Sequence, residues 1–123
     1  MFKLIVSCIF MCVYSALVDA GSPMTKRISQ FTNDKVSVWK TIIYPIHGQS
    51  LKMHRHEHDR VVVALTDGRL KVTNNQGQVH FLNFKKNQAY YLTRDIPNEL
   101  HMDENLSSHP IEVMVIELNF NSQ

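Results

Sequence analysis

Cysteine is nearly missing from this 123-residue chain: there are two, Cys8 and Cys12, both inside one apolar stretch near the start. That stretch is also the only long hydrophobic run. After Lys3 come the residues LIVSCIFMCVYSALV, Leu4 to Val18, then Asp19-Ala20 and Gly21-Ser22-Pro23. A run of this length falls below the ~20 apolar residues that span a bilayer. Small residues at its end suit a signal-peptidase cut after Ala20. Residues 1–20 are therefore expected to be a signal peptide. The protein is expected to be exported, to a periplasm or to the medium, with no stable membrane span after cleavage. The mature chain then has no cysteine. Disulfides, a cysteine-ligated zinc and a cysteine nucleophile are all excluded, and stability must come from the core or from partner subunits.

Other absences narrow the class further. The net charge is only +2, and the lysines and arginines do not gather into a run. No nucleic-acid footprint is visible, and no nucleic-acid partner is expected. No segment repeats, and none carries the 3.6-residue periodicity of an amphipathic helix. The chain after Ala20 is one domain's worth, for which a single core is feasible. We divide it into a polar lead-in, 21–35, a domain, 36–120, and a short tail, 121–123.

The domain reads as eight or so short strands. VSVWKTIIYPI, residues 36 to 46, is β-branched and aromatic, with Pro45 at its weak end. His47-Gly48 comes next as a turn, and LKMHRH as a strand. VVVALT has the composition of a buried strand, and Asp67-Gly68 fits a hairpin turn. RLKVT and QVHFLNF flank the turn NNQG. AYYLT is short, residues 95 to 98 form a turn, and ELHM precedes a loop, ENLSSHP. IEVMVIELNF closes the chain. Many short strands between turn signals indicate an all-β sandwich or barrel, which can enclose a small ligand or a metal. Continuous apolar strands such as VMVIEL suggest that both faces are covered, so a homodimer is expected.

Of the seven histidines, three fall in HRHEHD, residues 54 to 59. Side chains alternate along a strand, so His54 and His56 share a face. Neutral imidazole ligates zinc, copper, iron and nickel. A third ligand has to come from elsewhere, and His101 is the natural candidate. His47, His80 and His109 read as surface or internally satisfied histidines.

The spacing is more specific than the pair. Gly48 is followed by five residues, His54, one residue and His56, with Gly68 further on. Later, Asn98 is followed by two residues, His101, three residues and Asn105. This pattern resembles the two motifs of the cupin superfamily, over about residues 36 to 120. Within it, HRHEHDRVVVALTDGRLKV is similar to small single-domain cupins of the beta-alanine-degradation-like group. The resemblance implies a cupin-like β-barrel, a double-stranded β-helix or jelly roll. It places His54, His56 and His101 at metal-ligand positions and Gly48 and Gly68 at turns. Asn98 stands where the family has glycine, a change that asparagine's tolerance of left-handed backbone permits. Asn105 matches the motif asparagine, whose plain role is a loop hydrogen bond.

One departure bears on function. The family's first motif supplies a glutamate ligand, and here Arg60 or Val61 occupies that place. Asp59 and His58 are candidates to fill the gap. A divalent ion (zinc, iron, manganese, nickel or copper) remains compatible with three histidines. Arg60, if it faces the pocket, could grip a carboxylate through two hydrogen bonds, so a small organic acid is a sensible ligand. Trp39, Tyr44, Tyr90 and Tyr91 could line a pocket or belong to the core. Three functions stay open: a metal-dependent enzyme acting on a small acid, dioxygenase- or isomerase-like; a non-catalytic module binding a metal or small ligand; and a β-domain with merely polar histidines.

Overall fold

A computed structural model describes residues 25–45 and 53–120. The expected signal peptide, both cysteines, the His47-Gly48 turn and the tail lie outside these residues. Eight strands occur in chain order: β1 (Lys26–Thr32), β2 (Val36–Ile43), β3 (Arg60–Ala64), β4 (Gly68–Asn74), β5 (Val79–Phe84), β6 (Ala89–Leu92), β7 (His101–Asn105) and β8 (Ile111–Leu118). They build a five-stranded sheet, in the order β1-β2-β8-β3-β6, and a three-stranded sheet, β5-β4-β7. All pairings are antiparallel. Among the described residues no helix is long and apolar enough to cross a membrane.

The alternation read from the sequence sets which side chains face inward. Arg60, Val62 and Ala64 on β3 are buried, as are Ile111, Val113 and Val115 on β8. Leu70 and Val72 of β4 meet them from the other sheet, with Ile43 and Phe84 completing the core. Each such aliphatic side chain taken from water stabilises by roughly 1.5–3 kcal/mol. The run in β8, expected to be covered on both faces, is buried on one. Glu112, Met114 and Ile116 on the other face are half-buried in the single chain.

Four local expectations change. Residues 26–32, assigned to a lead-in, form the edge strand β1, exposed along its whole length. A bulge between Ser29 and Phe31 shifts its register with β2. Asn33 closes the hairpin to β2, its Oδ1 accepting from Lys35 N at 2.8 Å and Val36 N at 2.9 Å. LKMHRH is not a strand where it is described: His54 makes an isolated bridge to His101, and residues 55 to 57 run outside strands. β7 continues through Asp103 and Glu104 to Asn105, where a loop was expected.

The fourth change concerns Asp67-Gly68. β3 and β4 belong to different sheets, so this corner is a crossing and not a hairpin. Gly68 serves there by its lack of a side chain. A Cβ at Gly68 would sit 2.7 Å from Ile111 Cδ1 and closer still to Cγ1. Ile111 is itself fully buried. Left-handed backbone occurs instead at Gly77 (φ 80°) in the β4–β5 turn, at Asn87 (φ 68°) and at Asn98 (φ 68°). Asn98 thus adopts the conformation for which a glycine would otherwise serve.

Gly68→Ala is expected to destabilise the protein by about 1–3 kcal/mol through overpacking. Ile111→Val in that background should recover part of the loss in urea unfolding. Additive losses would show that the two sites do not share this space.

Candidate metal centre

His54 N donates to His101 O at 2.9 Å, and His101 N donates to His54 O at 2.8 Å. Two residues that exchange both hydrogen bonds put their side chains on the same face. His101 opens β7 and is buried. His56 reaches the same point because its backbone is held from the opposite side. Its N–H donates to Asp95 Oδ2 at 2.6 Å, and its carbonyl accepts from Asp95 N at 2.9 Å. The ring centroids lie 4.4 Å (His54–His101), 5.0 Å (His54–His56) and 5.2 Å (His56–His101) apart.

One nitrogen from each ring falls within 4.8 Å of the others. Ligands of one ion at about 2.0–2.1 Å are roughly 3–4 Å apart, so small side-chain rotations complete the approach. The donors fit a divalent ion, and the three histidines can hold one. Asp95 Oδ2 also lies 3.2 Å from His101 Nδ1. A carboxylate beside one ring nitrogen orients the imidazole and leaves the other for a metal.

The electrostatics favour the neutral form of His56 and His101. Burial, then the charge of Arg60 and the neighbouring histidines, pushes His56 down from 6.5 to about 2. Burial also lowers His101, against the pull of Asp103 and Asp95. Unprotonated imidazole is the form that ligates, so no proton has to be expelled from His56 at neutral pH.

The other expected residues divide. Arg60 is buried, faces the interior and reaches Thr93 O through Nη1 at 3.4 Å. Burial lowers its pKa below the ordinary guanidinium value, while Asp95, Asp103 and Glu117 oppose that. Asp59 precedes Arg60 on the chain, so alternation turns its side chain away from the interior. Its carboxylate accepts from Tyr91 Oη at 2.7 Å and Arg94 N at 2.8 Å. The hydrogen bond to Asp59 raises the Tyr91 phenol above its usual value. His58 likewise stands outside the cluster, with its buried Nδ1 lacking a hydrogen-bond partner. None of Asp59, His58, Asp95 and Asp103 is in the group of ligand atoms within 4.8 Å of one another, which is His54, His56 and His101.

His109 Nε2 meets Asp67 O at 2.7 Å, which satisfies it internally as expected. Asn105 Nδ2 donates to Ile43 O at 2.8 Å and His109 O at 2.9 Å, while its Oδ1 accepts from Ser107 N at 2.7 Å. That is the loop-tying role its position implied.

The cluster lines one wall of a cavity of about 420 Å³. Arg60 is on its lining, Val62, Val72 and Val115 supply apolar surface, and Trp39 and Tyr91 also border it. Arg27 stacks on Trp39 at 4.7 Å. Tyr90 instead packs edge-on against Phe84 at 5.3 Å, in the core. Two carboxylates were missed in the sequence. Asp95 sat in an expected turn. Asp103 sat just past the expected end of a strand, where only parity with His101 would have pointed it inward.

This arrangement of sheets is found in solved proteins. The chain has the cupin fold. It superposes on a cupin domain from Bordetella pertussis Tohama I with a TM-score of 0.65, at 24% identity, over 78% of this chain and 94% of that one. An RmlC-like cupin with a double-stranded β-helix from Methanocaldococcus jannaschii gives 0.57, at 14% identity, over 80% and 84%. A Klebsiella pneumoniae protein with a double-stranded β-helix domain gives 0.58, at 17% identity, over 83% of both chains. No family model and no curated protein matches the sequence. A cupin fold hosts many functions, so the chemistry is decided by the site.

Elemental analysis after exposure to divalent ions should find about one metal per chain, and none in His54→Ala/His56→Ala. Asp95→Asn should keep the stoichiometry but weaken affinity about 10–100-fold, as loss of a ligand's orienting partner does. Equal metal content in the double variant would remove these histidines from the site.

Proposed function

We propose that this chain is a small exported cupin that binds a divalent metal through His54, His56 and His101 and binds or acts on a small polar metabolite, a carboxylate in particular. The observation that carries this reading is convergence. Three imidazoles and a buried guanidinium line one cavity of about 420 Å³. A cavity of this size suits a small molecule. An ion held by the histidines would act as a Lewis acid toward an oxygen of the ligand. Arg60 would bind the carboxylate by paired hydrogen bonds, and the apolar wall of Val62, Val72 and Val115 would limit the ligand's bulk. The similarity of HRHEHDRVVVALTDGRLKV to the beta-alanine-degradation-like cupins supports a small acid as ligand.

A second reading is a binding module without turnover. It is favoured by Arg60 and Val61 standing where the family's first motif has a glutamate ligand. Turnover of a small acid in the presence of metal, lost in His54→Ala and in His101→Ala, separates the two.

Calorimetry with a panel of small mono- and dicarboxylates on the metal-loaded protein tests the Arg60 assignment. Arg60→Gln should weaken the best ligand by at least tenfold, matching the ~1.5–3 kcal/mol of a hydrogen bond to a charged group. Unchanged affinity would assign Arg60 to the fold alone.

The proposal includes removal of residues 1–20 on export and a homodimer. The dimer rests on the outer face of the five-stranded sheet. Register places Phe31, Val38, Ile116, Val61 and Tyr91 in one row across all five strands. Phe31 is 54% and Tyr91 57% exposed. Val38 in the middle of the row is buried, and the exposed apolar ends at Phe31 and Tyr91 are surface of the kind an interaction face uses, for which the proposed partner is a second copy. Sedimentation should show a dimer that Ile116→Lys converts to a monomer. A monomeric parent protein would contradict this.

A further inference from the structure

We propose that Asp103 is a fourth ligand of the metal centre, supplying from β7 the carboxylate that the chain lacks at Arg60 and Val61. This inference rests on the reading of His54, His56 and His101 as metal ligands. It begins with the parity of β7, in which His101, Asp103 and Asn105 are buried and the residues between them are not. Asp103 therefore projects to the same side as His101, one strand repeat along.

The nearest contacts of Asp103 are longer than hydrogen bonds, and its carboxylate joins the 4.8 Å group of the three histidines only after a turn of its side chain. Asp103 Oδ2 is 3.6 Å from His54 Nε2, and Oδ1 is 3.9 Å from His101 Nε2. Both exceed the length of a nitrogen–oxygen hydrogen bond. Both fall in the range of roughly 3–4 Å that separates two donors each about 2.0–2.2 Å from one ion. The same Nε2 atom of His101 faces away from Asp95, which lies beside Nδ1. One carboxylate thus lies beside Nδ1 of the ring, and the other beside Nε2.

Charge points the same way. Asp103 is 8% exposed, and Arg60 is 8% exposed. A carboxylate so far from water needs a positive partner. Among the described residues, the ion-pairing groups within 4 Å of Asp103 are the rings of His54 and His101, which are charged only when protonated. The Arg60 cation acts on Asp103 from farther away, and a divalent ion between those rings would add the nearer positive charge. Reciprocally, three neutral imidazoles leave a divalent ion at +2 in a cavity that already contains the Arg60 cation. One carboxylate brings the centre to +1, the balance that a glutamate gives elsewhere in the fold.

The test is metal affinity, measured by competition with a chromophoric chelator. The probes are zinc and cobalt(II), and the proteins are the purified parent, His54→Ala/His56→Ala, Asp103→Asn and Asp103→Glu. Asp103→Asn should weaken zinc by more than about 100-fold, beyond what loss of an outer partner of a ligand causes. It should also alter the visible spectrum of the cobalt form. Melting of the metal-free protein shows whether the amide variant is folded. Its midpoint should be equal to or above the parent's, since a neutral amide is easier to bury than a carboxylate. Asp103→Glu keeps the charge and should recover part of the affinity, which also serves if the amide variant does not fold. If the parent binds zinc and Asp103→Asn matches it, or weakens less than this with an unchanged cobalt spectrum, Asp103 is not a ligand and the three-histidine centre stands. If the parent binds neither ion, the metal reading fails and this inference with it.

Discussion

Two backbone hydrogen bonds, exchanged between His54 and His101, join the segment before β3 to the first residue of β7. Everything distinctive in the cavity hangs on that small bridge. It brings together rings from distant parts of the chain, and does so through main-chain geometry that no side-chain substitution alters directly. The bridge needs support from both sides. On one side, Asp95 grips His56 through both its carboxylate and its backbone N–H. On the other, β7 is tied into the sheet by β4, with Asn74 opposite His101 and Leu70 opposite Asn105. Asn105 then fastens the end of β7 to β2 and to the loop beyond it. The motif asparagine and the motif histidine are thus two ends of one short, inward-facing strand.

The interior is unusual in mixing charge with an aliphatic core. Arg60, His101, Asp103 and Asn105 are buried beside Val62, Leu70, Val72 and Val115. Such groups cost stability unless they are paired, and proteins tend to place them where they act. The apolar half gives the fold its cohesion. Arg60 and His101 stand at the first positions of β3 and β7, and the aliphatic residues of β3 and β8 line the same cavity beside them.

Much of this was legible in the residues. β3, β4 and β8 announced themselves by alternation or continuous apolar runs, and Asn-Asn-Gln-Gly marked the β4–β5 turn. Asn98 was rightly read as a residue able to replace glycine at positive φ. His101 is the natural third histidine because it lies in a short strand after a turn, and its spacing to Asn98 and Asn105 in the cupin-like motif points to the same residue. The failures have physical causes. β1 is an edge strand with every residue exposed, so burial left no mark on its sequence. Gly68 was read as a turn former, but its role is to make room for Ile111, a contact between strands that local sequence does not display. Asp95 and Asp103 were invisible as site residues because their importance depends on which elements the fold brings alongside them. A turn aspartate and a strand aspartate look ordinary until the histidines are placed.

The central claim is that His54, His56 and His101 converge on one ion. The most direct measurement is anomalous diffraction from crystals grown with zinc, recorded at the zinc edge. One peak within about 2.0–2.1 Å of a nitrogen from each of the three rings is the expected result. A peak that leaves any of the three histidines uncoordinated, or no peak in the cavity, would contradict it.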